Sequence, residues 1–181
     1  MPMPSSALST FGPLSALLLA IFPAGVIVAA LKDATSFTIP NWISAGLVLA
    51  FFPVALALRL PMDALGMCAL SAGVALVCGI GMFALGWCGG GDAKLLAACA
   101  LWLGWPGVLT FLLATGVAGG LLAAGLMLAR KGMIGALMAA GPGWLGRLFQ
   151  PDGDLPYGLA IAAGALIAFP SSALLAVFGR S

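Results

Sequence analysis

ALGMCALSAGVALVCGIGMFALGW, the run from Ala64 to Trp87, carries no charged side chain from one end to the other. A helix needs about 20 consecutive apolar residues to cross the hydrocarbon core of a bilayer, and this run exceeds that. Working outward, breaks at charges, prolines and glycine clusters separate six apolar segments, roughly 14–31, 42–60, 64–87, 93–105, 107–129 and 157–178. The fourth is short, and Trp105-Pro106-Gly107 after it fits either a boundary between two full spans or the tip of a re-entrant hairpin. Composition agrees with the segments. Of 181 residues 63% are hydrophobic and 7% charged, and the mean hydropathy is +1.20. Soluble domains carry about 25% charged residues, so this chain cannot cover a water-facing surface. The expected fold is all-α, a polytopic membrane protein with about six transmembrane helices in a single domain, 1–181, whose stretch 130–156 is a cytoplasmic or interfacial loop.

The first segment is read as a retained helix and not as a signal peptide. Met1 to Thr10 has no basic side chain, and the run from Leu14 to Leu31 is closer to a span than to the shorter apolar region of a signal. The 26 glycines suit close helix packing in lipid. With the N-terminus outside, Lys32, Lys94, Arg130, Lys131 and Arg147 fall on the cytoplasmic side, and only Arg59 and Arg180 on the other. That five-to-two split sets the orientation under the positive-inside rule. In the loop 130–156, Met133, Ile134, Leu137, Met138, Trp144, Leu145, Leu148 and Phe149 stand beside Arg130, Lys131 and Arg147. The mixture fits a segment lying on anionic lipid, interrupted at Gly141-Pro142-Gly143, and equally an ordinary positive-inside loop.

Several chemistries are excluded. A net charge of +2 without a basic patch gives nucleic acid no footing. Histidine is absent, which removes Ser-His and Cys-His pairs, and Cys68, Cys78, Cys88 and Cys99 lack CxxC spacing, so they read as small hydrophobes and no metal site is expected. Ser36 or Ser44 with Lys32 or Lys94 would be needed for a serine–lysine dyad, and nothing in their spacing recommends it. Carboxylates remain. Two aspartates a few ångströms apart share one proton; the ionised one can then take a proton from water while the protonated one polarises a carbonyl, with no metal and no cofactor.

All five acidic residues are aspartates. Asp63, near Arg59 and Pro61, reads as a loop or helix-cap residue. Asp152 and Asp154 lie in Gln150-Pro151-Asp152-Gly153-Asp154, a turn signal. Asp33 ends one apolar span, Asp92 begins another, and the inferred topology puts both on one face. Asp92 in Gly89-Gly90-Gly91-Asp92-Ala93-Lys94 also reads as a helix N-cap, and Asp33 as a terminating charge paired with Lys32. Three glycines exceed what a cap requires and permit close approach of a neighbouring helix or of an extended peptide.

Asp33 followed by Ile39-Pro40-Asn41 resembles the first motif of the type IV prepilin peptidases. Gly89, Gly91 and Asp92 resemble their GxGD motif, and Leu155-Pro156-Tyr157-Gly158 resembles the start of their last span. The resemblance covers nearly the whole chain. It implies six spans and an aspartic endopeptidase that removes the leader of prepilins at the cytoplasmic face of the inner membrane, with Asp33 and Asp92 as the catalytic pair. The missing CxxC pairs imply the short form that serves Flp (tight-adherence) pili, without N-methyltransferase activity. The implied partners are prepilins or pilin-like substrates and membrane lipid. Gly89, Gly90 and Gly91 would admit the substrate backbone. Lys94 would tune Asp92 or anchor the interface, while Pro40 at the first turn of span two and Asn41, bonding local backbone, would support the loop. The loop Ala34-Thr35-Ser36-Phe37-Thr38 departs from the family in lacking basic residues. Two other readings stand beside this one: a presenilin-like intramembrane peptidase of other substrates, and a small transporter or channel component using the aspartates as an ion site.

Overall fold

A computed structural model describes residues 16–131, 135, 137, 138, 141, 143–150, 153 and 155–178. The expected turn at Pro151, Asp152 and Asp154, the segment Met1 to Thr10, the start of the first span at Leu14, Met133, Ile134, Pro142 and Arg180 lie outside the described residues.

The described chain is helical, without a strand. The helices are α1 (Ile21–Ser36), α2 (Asn41–Ala57), α3 (Met62–Ala84), α4 (Gly90–Lys131), α5 (Gly143–Phe149), α6 (Tyr157–Ala168) and, after a 3-10 turn at Phe169–Ser171, α7 (Ala173–Phe178). Four stretches are long and apolar enough to cross a membrane: Ala16–Ser36, Met62–Ala84, Gly90–Lys131 and Tyr157–Phe178; the apolar α2 has 17 residues. The chain is a multi-pass membrane protein. Asp63 lies in the first turn of α3, after Pro61 at the cap position.

α4 is two helices in one. Gly104 (φ 58°, ψ −168°) and Trp105 (φ −93°, ψ 134°) interrupt it, and the Trp105-Pro106 peptide is cis. The contacts show that the chain reverses there. Along 90–103 it runs beside α2, with Lys94 at Asn41 and Trp102 at Leu47. It also runs antiparallel to α3, with Ala93 near Gly79 and Gly104 near Cys68. Along 107–131 it returns beside α6, placing Gly107 near Ser171, Thr115 near Gly164 and Gly119 near Tyr157. The turn at Trp105-Pro106-Gly107 therefore joins two antiparallel helices, and counting both gives the six apolar segments read from the sequence.

Among the described residues the outer faces are as apolar as the core. Small residues such as Ala29, Ala98, Ala100, Ala162 and Ala165 are buried, while Leu70, Val77, Leu113, Leu121 and Leu128 are exposed on the outer faces. In lipid there is no hydrophobic drive between helices, so van der Waals packing holds them together, and small residues let them approach. The core is anchored by an aromatic group. Trp102 stacks on Phe22 (centroids 5.3 Å apart) and meets Phe51 edge-on at 5.9 Å, and Phe22 also touches Phe169 at 5.1 Å. The Trp102 indole N–H donates to the Leu47 carbonyl at 2.8 Å. One cluster thus ties α1, α2, α4 and the 3-10 turn together.

Candidate active site

α1 does not stop at Leu31. It continues through Ser36 and is closed by Phe37 in the left-handed region (φ 54°), whose N–H donates to the Asp33 carbonyl at 2.8 Å. Asp33 thus sits inside the last turn, buried (4% exposed), while Lys32 faces outward. The expected Lys32 pairing is replaced: the Asp33 Oδ2 accepts the backbone N–H of Gly158 at 2.6 Å. A Cβ on residue 158 would lie 2.8 Å from that oxygen, so the close approach depends on glycine.

Asp92 is the third residue of α4, not its N-cap. Its Oδ2 reaches back to accept the Gly89 N–H at 2.9 Å, the return half of a capping box. Its Oδ1 is buried with no hydrogen-bond partner among the described residues. Both carboxylates are buried at the same end of the bundle, where Gly91, next to Asp92, packs against Ile39, six residues after Asp33.

The loop after α1 is locked onto the start of α4. A Cβ on residue 91 would lie 2.9 Å from the Ile39 carbonyl oxygen and 3.1 Å from the Ile39 Cβ. At Gly91 the close approach is made by the chain's own Ile39. Gly90 faces the Phe83 ring. Pro40 stands just before α2, at the cap position, in extended conformation, and not within the first turn. Asn41 does not bond local backbone through its side chain; its Oδ1 accepts from the Lys94 ammonium at 2.8 Å, because α2 and the first half of α4 start side by side. Ser36 Oγ donates back to the Lys32 carbonyl, and the buried Ser44 Oγ has no partner among the described residues, so neither serine forms a serine–lysine pair there.

Exposed Trp42, Trp87 and Trp144 belong to segments at this end and exposed Trp105 to the opposite one, the distribution of interfacial aromatic belts. The loop 130–156 is tied in by Arg130, whose Nε and Nη2 donate to the Leu148 carbonyl of α5 at 3.0 and 2.8 Å. Gly158 is the contact that sequence reasoning did not assign to the site. Its signal was the Leu155-Pro156-Tyr157-Gly158 stretch, read only as the start of a span.

What this arrangement offers chemically is two buried carboxylates near a polar–apolar boundary, each fixed by one main-chain amide. Among the described residues no cluster of three or more histidine, cysteine or acidic side chains gathers around a common point. Searches of characterised proteins and of solved structures return no match. A family model described as the type IV leader peptidase family matches residues 20–124, more than half of the chain and both Asp33 and Asp92. The chain therefore belongs to the type IV leader peptidase family and is a membrane peptidase.

Proposed function

We propose that the protein is an aspartic endopeptidase of the bacterial inner membrane that cuts the N-terminal leader from Flp-type prepilins at the cytoplasmic face. Asp33 and Asp92 are its catalytic pair. The observation that carries the reading is the joint burial of the two carboxylates, each seated by a backbone N–H from a different segment. Two like charges so placed share one proton. The ionised carboxylate takes a proton from water, and the resulting oxygen attacks the scissile carbonyl carbon. The protonated carboxyl donates to the carbonyl oxygen, and a proton passes to the leaving amide nitrogen as the C–N bond breaks. The unpartnered Oδ1 of Asp92 has free accepting capacity for that water. The five-to-two distribution of basic residues supports the cytoplasmic assignment of this face. The reading covers hydrolysis alone, without N-methyl transfer.

The test is co-expression of a candidate Flp prepilin with the parent protein, Asp33→Asn or Asp92→Asn, followed by gel analysis of pilin size. General acid–base groups contribute on the order of 10²–10⁴ in rate, so each variant should leave precursor uncut. Normal processing by either variant would end the dyad proposal.

A further inference from the structure

α2 and α3 each pack on α4 but scarcely on each other. Between them, with the first half of α4 as floor, runs a groove of about 780 Å³. Its lining has a vertical order. At the end shared with the candidate active site stand Lys94 and Asn41, joined by their 2.8 Å hydrogen bond. An ammonium has three donors, so this bond leaves two for another acceptor. One helical turn deeper is Ser44, 5% exposed, its hydroxyl without a partner. Below it the walls are apolar, with Val48, Phe52, Ala72, Leu76 and Leu101 among them.

We propose that this groove binds one anionic phospholipid. The phosphate sits on Lys94 and Asn41, a glycerol-ester carbonyl accepts from Ser44, and an acyl chain lies along the apolar walls. Cation, hydroxyl and hydrocarbon follow one another in the groove as phosphate, ester and acyl chain do in the lipid. About 4.5 Å of helix rise separates the level of Asn41 from that of Ser44, a spacing that suits adjacent phosphate and ester groups. The volume falls within the ~300–1,000 Å³ of small-molecule sites. A transmembrane helix of another protein is a poorer occupant, because its backbone groups are satisfied within the helix and it could pair Ser44 only through a polar side chain at that level. A lipid here sits two residues from Asp92 along α4, independently of what Asp92 does.

Detergent-purified protein is titrated with phosphatidylglycerol and with phosphatidylcholine of the same acyl chains, and bound lipid is counted by native mass spectrometry. Phosphatidylglycerol should be retained roughly fivefold better, the preference that one interfacial cation supplies, and Lys94→Gln should abolish that preference. Gly73→Leu blocks the groove at a point where a Cβ meets nothing within 4 Å, so it should lose the lipid while keeping the parent's thermal unfolding curve. Equal retention of both lipids by the parent overturns the proposal, as does unchanged binding to Gly73→Leu. Displacement of the lipid by inorganic phosphate alone would overturn the acyl-chain seat. Displacement by an uncharged apolar helical peptide, unaffected by Lys94→Gln, would reassign the groove to protein.

Discussion

The backbone N–H of Gly158 donates to the Oδ2 of Asp33 across 2.6 Å, joining the last turn of α1 to the first turn of α6 over 125 residues of sequence. Because a methyl group at 158 would meet the Asp33 carboxylate at 2.8 Å, Gly158→Ala should push that carboxylate off its seat. A displacement of about 1 Å in a catalytic group costs on the order of 100-fold in rate. The expected result is a loss of that size in prepilin turnover by solubilised protein, with the protein still folded by circular dichroism. Turnover equal to the parent's would show that the Gly158 amide does not position Asp33.

Gly91 and Gly46 make a paired stability test. An added methyl at 91 meets main-chain atoms of Ile39, which cannot swing away, so Gly91→Ala should destabilise by about 1–3 kcal/mol. At Gly46, inside α2, a methyl meets nothing within 4 Å, and the change should be neutral or stabilising by up to about 1 kcal/mol. Thermal unfolding of both variants in one detergent checks the pair. Equal effects would mean that Ile39 does not pack on α4 as described.

The Lys94–Asn41 bond lends itself to a double-mutant cycle. With Lys94→Met, Asn41→Ala and the double variant, the coupling should come to about 1 kcal/mol, typical of one hydrogen bond. Strict additivity of the two single changes would rule the contact out.

Trp102 separates polar from apolar anchoring of the core. Trp102→Phe removes the N–H donated to the Leu47 carbonyl but keeps a ring against Phe22, and should cost about 1 kcal/mol. Trp102→Ala removes both and should cost about 3–5 kcal/mol. If the two variants unfold at the same temperature, the stacking contributes nothing.

The segments were legible because a bilayer imposes length and polarity, and uncharged runs such as Ala64 to Trp87 satisfy few other folds. Helix ends were less so. Hydropathy ends the first span at Leu31, whereas the helix runs on to Ser36 since Asp33 finds a backbone donor inside the protein. Asp92 reads as a cap from its neighbours, but the helix begins two residues earlier because Gly89 can lend its N–H to the Asp92 side chain. The pairing of Asn41 with Lys94 spans 53 residues, and no local pattern encodes it. Gly158 has no local signal for the same reason: its contact is made by a backbone amide, which carries no residue-type signature.

The dependence of Asp33 on Gly158 has a consequence for biosynthesis. A membrane chain is made from its N-terminus, so both aspartates are synthesised well before the amide that seats one of them. A nascent chain that ends before Tyr157 holds the two carboxylates but lacks that donor. On the proposed pairing of Asp33 with Asp92, the Asp33 carboxylate therefore gains its backbone donor only once Tyr157–Ala168 has been made.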